Sequence, residues 1–202
     1  MSWNIVPLDE VMPTPWKNGG GTTRELIAWP NSEQWVWRMS VAEVKQGGSF
    51  SSFQGVQRWF AVLSGAGVTL DVGHAEHLSC HSLTGDSAPF CFYGEAAVNC
   101  QLLDEVTQDF NLMLHTNQTQ GKMQRVSGTL KLCVKASSQA EKMVAVYSNS
   151  KPTSVKLFQE AEAFQSTQFF PAHTLGWQYV SADSEIQLDS PNALWMEISH
   201  NV

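Results

Sequence analysis

Apolar residues in this chain recur in short runs with period two rather than at helical spacing. The clearest run is 35–44. Trp35, Trp37, Met39 and Val41 alternate with Val36, Arg38, Ser40 and Ala42, the signature of a strand with two distinct faces. Residues 22–29 read as a strand closed by Pro30-Asn31, and 59–64 as a near-continuous apolar strand ended by Gly65-Ala66-Gly67. Runs at 68–72, 77–83, 90–93, 98–103 and 109–115 follow at intervals of about ten residues, a spacing that suits a sandwich or barrel. A second set covers 124–134, 143–147, 155–158, 168–170, 177–180, 186–188 and 194–198. The polar stretch 116–122 is the natural boundary between the sets, giving halves at 1–118 and 119–202. Helical signals are confined to single turns near 7–11 and 159–163. The pattern predicts an all-β protein of about fifteen strands.

Composition narrows the class. The chain has 202 residues, 43% hydrophobic and 15% charged, a balance opposite to that of disordered chains. Its formal net charge is -7, with no basic run, so a nucleic-acid partner is not expected. No apolar stretch approaches the roughly 20 residues needed to span a bilayer, and Pro7, Pro13 and Pro15 break the N-terminus. A cytoplasmic protein with no membrane partner is expected. Cys80, Cys91, Cys100 and Cys133 lack C-x-x-C spacing and read as reduced core thiols.

Three segments could carry chemistry. In 15–25, Asn18 precedes the consecutive glycines Gly19, Gly20 and Gly21, and Arg24 and Glu25 follow. Glycines reach backbone angles closed to other residues, and their amides could approach a small anion; the bland alternative is a flexible connection. Arg24 and Glu25 point to opposite faces of one strand, so only one can look inward. Arg58 stands at the start of a strand that must be buried. Arg38 shares a face with Ser40 and Ala42; inside a barrel it needs an anion, an acidic partner or a ligand. Asp109 and Asn111 share one strand face and could supply that partner, or tie the strand to the 15–24 segment. His74, Glu76, His77, Cys80 and His81 are the main grouping of metal-ligand types, but strand residues four apart lie about 13 Å apart, so a solvated edge is the simpler reading.

The segments 15–26, 37–44, 48–58, 63–67 and 109–113, in that order, resemble the HutD/Ves family of bicupin proteins associated with histidine utilisation. The resemblance implies two cupin-type β-barrels in one chain. Ordinary metal cupins carry G-x5-H-x-H-x3,4-E-x6-G. Aligned back from Gly65, the metal-binding Glu falls on Arg58 and the His pair on Ser51 and Phe53. The set of metal ligands is therefore missing, no metal or other cofactor is expected, and a cation stands where a carboxylate usually binds metal. A guanidinium matches a carboxylate through two parallel hydrogen bonds. The expected site is a barrel mouth with Phe50, Phe53 and Phe92 around Arg58, joined by Asn18, Arg24, Arg38 and Asn111. The implied function is metal-independent binding of a small carboxylate, urocanate or formylglutamate being candidates, that modulates histidine catabolism without catalysing a reaction. The alternatives are a metal-independent isomerase or lyase using His115, Glu43 or Tyr93 as acid or base, and a structural protein whose second half docks other chains. A homodimer is compatible with the acidic, strand-rich chain.

Overall fold

A computed structural model describes residues 2–74, 77–134, 142–159, 162–180 and 184–201. In chain order the strands are β1 (Asn4–Pro7), β2 (Thr14–Pro15), β3 (Gly21–Trp29), β4 (Trp37–Val44), β5 (Gly48–Ser49) and β6 (Val56–Ser64). Then come β7 (Val68–His74), β8 (His77–Leu83), β9 (Phe90–Tyr93), β10 (Ala97–Leu102) and β11 (Thr107–His115). The remainder are β12 (Thr119–Val134), β13 (Lys142–Ser148), β14 (Thr153–Gln159), β15 (Glu162–Phe170), β16 (Thr174–Val180) and β17 (Ser184–His200). One 3-10 turn, Leu8–Glu10, matches the first predicted helical turn. The second does not form as a helix: Gln159 and Glu162 pair as strand residues, and Glu160 and Ala161 lie outside the described residues.

The chain divides into two units, 11–119 and 1–10 with 120–202. The division near 119 follows the polar stretch seen in the sequence. The first ten residues, however, belong with the second unit, because β1 pairs antiparallel with β16 (Asn4 opposite Trp177, Pro7 opposite Thr174). Nothing in the alternation of so short a strand announces a partner more than 160 residues away.

The first unit contains a six-stranded sheet in the order β2-β3-β4-β11-β6-β9 and a four-stranded sheet in the order β5-β10-β7-β8. Its dry core joins Phe60 and Val62 of the larger sheet to Leu70, Val98 and Cys100 of the smaller one. The second unit is built on one sheet in the order β1-β16-β13-β17-β14-β15, with β12 also paired to β17. There Val144, Val146, Phe170, Leu188 and Trp195 are fully buried together. The two short runs predicted at 186–188 and 194–198 are one 17-residue strand. β17 pairs with β14 up to Asp189 and with β13 from Ala193. Pro191 lies between the stretch paired with β14 and the stretch paired with β13.

Candidate functional site

The larger sheet of the first unit presents one polar strip. Residues directly opposite on paired strands share a face. Arg38 of β4 lies opposite Met113 of β11, Met113 opposite Arg58 of β6, and Arg58 opposite Phe92 of β9. One step along, Ser40 lies opposite Asn111; two steps along, Ala42 lies opposite Asp109. These rows, Phe92 apart, line a cavity of about 510 Å³, whose wall also includes Trp16, Lys17, Asn18, Phe50, Ser51 and Phe53. That volume falls in the range of small-molecule sites.

Arg58 is the centre of this strip and is only 8% exposed. Its guanidinium carbon sits 5.0 Å from the Phe50 ring centre, 5.1 Å from Phe92 and 5.7 Å from Phe53. Ring faces attract a cation, but they do not replace lost water hydrogen bonds. Of its five N–H groups, one donates to a protein acceptor among the described residues: Nη2 to Asn111 Oδ1 at 2.9 Å. Its Nε is buried without a partner. Burial therefore pushes the Arg58 pKa down to about 10, against an upward pull from Asp109 and a further downward push from Arg38. The group still carries its full positive charge at neutral pH.

Behind Asn111 lies Asp109, 1% exposed. Asn111 Nδ2 donates to Asp109 Oδ1 at 2.6 Å, so the amide is held oxygen toward Arg58 and nitrogen toward Asp109. Burial raises the Asp109 pKa to about 7, only partly opposed by the Asn111 hydrogen bond and by the charge of Arg58. Arg38 lies at the other side of the strip, 3.5 Å from Glu25 Oε2 and 5.5 Å from the Trp35 ring centre. Its Nε too is buried without a partner. With Lys17, three cations line the cavity against the single carboxylate of Asp109.

Of the residues expected at the site, Arg58, Arg38, Asn18, Phe53 and Asn111 line the cavity. Arg24 does not. It lies opposite Val41 on the other face of β3, whereas Glu25 lies opposite Ser40 on the cavity face. The Arg24 guanidinium donates to the Val11 carbonyl. A break in register between Glu25 and Ile27 explains why simple alternation leaves the choice open. Phe92 is also not part of the wall: it is 5% exposed and backs the guanidinium from inside the core.

The glycine segment serves the fold rather than offering its amides freely. Gly19 adopts φ 73° and donates to the Trp16 carbonyl at 3.0 Å, and the Gly20 carbonyl accepts from Lys45 and Gln46. Gly20 N–H donates to Asn18 Oδ1 at 3.0 Å, so Asn18 both holds the turn and faces the cavity. A Cβ on Gly21 would stand 2.3 Å from the Glu43 carbonyl; only glycine lets β3 approach β4 there.

Sequence reasoning named Asp109 only as a partner and missed Lys17, Ser40 and Ser51 as cavity residues. Lys17 and Ser51 sit on irregular segments with no period to place them. Ser40 was legible, since it shares the Arg38 face. Glu43, Tyr93 and His115, the acid–base candidates, are absent from the cavity wall; Glu43 pairs with Lys45 at 3.1 Å and Tyr93 is 56% exposed. Ser51, Phe53 and Arg58, at the positions of the metal-cupin His pair and Glu, do share the cavity. Among the described residues no group of three or more His, Cys, Asp or Glu is placed to share an ion. Glu76 and the burial of His74 and His77 lie outside what is described. No helix among the described residues is long and apolar enough to cross a membrane.

Comparison with known proteins places this geometry. The HutD family profile matches residues 9–197. An uncharacterised 21.2 kDa protein from the hutC 3′ region of Pseudomonas putida is 37% identical over 126 residues, 61% of this chain and 64% of that protein. Protein Ves of Cronobacter sakazakii is 36% identical over 109 residues, 54% of this chain and 58% of its own length. The chain thus spans less than two thirds of the length of these curated relatives. Among solved structures, HutD from Pseudomonas fluorescens SBW25, in a formate condition, matches 100% of both chains with a TM-score of 0.80 at 25% identity. A conserved protein of unknown function from Pseudomonas aeruginosa PAO1 matches with a TM-score of 0.77 at 27% identity over 99% of this chain and 98% of that one. A Bacillus subtilis oxalate decarboxylase variant matches 98% of this chain and 77% of its own at 9% identity, with a TM-score of 0.61, a likeness of fold alone. A family profile spanning nearly the whole sequence, and a solved HutD that matches from end to end, agree: this chain belongs to the HutD/Ves family and has an all-β bicupin fold.

Proposed function

We propose that the first unit is a metal-independent receptor for a small carboxylate, with Arg58 as its anchor. One observation carries this reading: a guanidinium 8% exposed, on the wall of a 510 Å³ cavity, makes one hydrogen bond among the described residues, to a neutral amide. Burying a charge with so little compensation is costly, and an anion in the cavity offsets that cost. A carboxylate fits the fork of donors, and Arg38 and Lys17 add positive potential in a setting of low dielectric. Each charge-assisted contact contributes roughly 1.5–3 kcal/mol. Several together with aromatic contact reach about -8 kcal/mol, or micromolar affinity, a range suited to sensing a metabolite.

The Phe50 and Phe53 rings beside Arg58 favour a flat ligand. Urocanate combines a carboxylate with such a ring; formylglutamate is the second candidate. The link of a relative to a hut region supports a role connected with histidine utilisation. The test is a thermal-shift panel of urocanate, formylglutamate, formate and benzoate on wild-type and Arg58→Ala protein. A rise in melting temperature for at least one acid, lost in the variant and without product formation, is expected. An equal rise in both proteins removes Arg58 as the anchor; turnover of any acid by the purified protein replaces the receptor with an enzyme.

A further inference from the structure

The carboxylate reading accounts for Arg58 but leaves Asp109 unexplained. A buried acid on the wall of an anion site opposes anion binding, unless its own charge is removed when the anion arrives. Asp109 Oδ1 accepts from Asn111, while its Oδ2 is buried with no partner. Asn111 passes the contact on to Arg58 Nη2. The three side chains form one relay, Arg58 to Asn111 to Asp109, in which the neutral amide keeps the two charged groups from pairing directly.

We propose that Asp109 is a positioning residue whose protonation is coupled to anion capture: a carboxylate bound at Arg58 favours the protonated carboxyl, so that binding is accompanied by net proton uptake from solvent onto Asp109 Oδ2. This rests on the carboxylate-receptor reading above. The anion takes over as the negative partner of Arg58, and a charged Asp109 then repels it from behind the same guanidinium. Protonating Oδ2 removes that repulsion and leaves Oδ1 free to go on accepting from Asn111, so the amide keeps its orientation. No other bond changes. By linkage, the proton favours the anion as much as the anion favours the proton.

The groups facing Asp109 support this assignment. From β6 and β4 come Arg58 and Arg38, both cationic, and the segment before β3 contributes Lys17. From β3, Glu25 is engaged by Arg38. From β10, the Cys100 thiol is held near 12, first by burial and then by Asp109 itself, and remains neutral. Among the described residues the cavity wall carries no histidine. Asp109, with its value raised to about 7 by burial, is thus the group of the wall whose charge changes near neutrality.

The sign follows directly. Below the Asp109 value the carboxyl is protonated and anion affinity is at its upper limit; affinity falls as pH rises through that value. The experiment titrates formate, which stays singly charged throughout, into wild type and Asp109→Asn at intervals from about pH 6 to about pH 9. Calorimetry in two buffers of different ionisation enthalpy reads proton uptake in the wild type. Wild type is expected to weaken about tenfold across the range, with net proton uptake near neutral pH. Asp109→Asn, neutral and of the same shape, is expected to hold the tight limit at every pH. A purely structural Asp109 predicts instead a uniform loss of affinity in the variant with the profile unchanged. Parallel profiles, or zero proton uptake by wild type near neutral pH while formate binds, overturn the inference and leave the receptor standing. If Asp109→Asn does not fold, the wild-type proton count decides alone. No formate binding by wild type at any pH overturns the receptor reading and this inference with it.

Discussion

The two units solve the problem of a buried charge in opposite ways. In the second unit, Glu197 is 7% exposed and fully engaged. Lys122 lies 3.0 Å from one oxygen and Lys142 3.1 Å from the other, and Trp195 Nε1 donates at 3.2 Å. Burial alone would raise its pKa, but these hydrogen bonds outweigh burial and hold it below the ordinary value. Elsewhere in that unit the interior is packed tight: a Cβ on Gly176 would stand 2.1 Å from the Phe170 ring. In the first unit Arg58 is equally buried, has one neutral hydrogen-bond partner among the described residues and borders open space. A charge whose partners are all supplied by the protein belongs to the fold. On the proposed function, a charge left short of partners beside a cavity is held for an anion that arrives from outside.

This contrast predicts a ranked set of effects. The largest belongs to the second unit. Trp195→Ala opens a void in a dry core and should cost about 3–5 kcal/mol in chemical denaturation, while the anion response of whatever remains folded is retained. Next is Arg58→Met, which keeps the stem and removes the uncompensated charge. Apolar replacement of poorly compensated buried charge stabilises by about 1–4 kcal/mol, so the melting temperature should rise as the response to carboxylates disappears, the usual opposition of stability and function. A fall in stability would mean that the guanidinium is structurally satisfied after all.

Glu197→Gln should cost about 1–3 kcal/mol at neutral pH. Because the folded value of Glu197 is depressed, its stabilisation is present above the ordinary Glu range near 4 and is lost as pH falls through the lower, folded value. The variant should therefore lose less stability than wild type on acidification through that window; identical acid profiles would show that the two lysines contribute nothing. The smallest effect is expected from Arg24→Ala. Its side chain lies on the far face of β3, and stability should change by less than about 1 kcal/mol with the ligand response intact. Loss of that response would return Arg24 to the site.

Much of this was legible before any coordinates. The alternation of 35–44 placed Arg38 and Ser40 on one face, and the cupin motif implied by the HutD/Ves resemblance, aligned back from Gly65, put Arg58 at the expected barrel mouth. Asp109 and Asn111, two apart, had to share a strand face. What escaped has physical causes. The bulge after Glu25 hides which way Arg24 points. Pro191 disguises one long strand as two short runs, since it marks a change of partner rather than an end. The pairing of 4–7 with 174–177 is a long-range contact that no local period encodes. Lys17 and Ser51 lie on irregular segments, where position depends on the whole barrel. The raised Asp109 value comes from burial on every side, which a linear reading cannot sum.

The most direct measurement is a crystal structure of the protein grown with urocanate or formate. The account predicts a carboxylate in the first unit's cavity, both oxygens within hydrogen-bonding distance, about 2.7–3.2 Å, of the Arg58 guanidinium, and Asn111 still joined to Asp109. A carboxylate bound elsewhere, with the Arg58 cavity holding only water at saturating ligand, would contradict it.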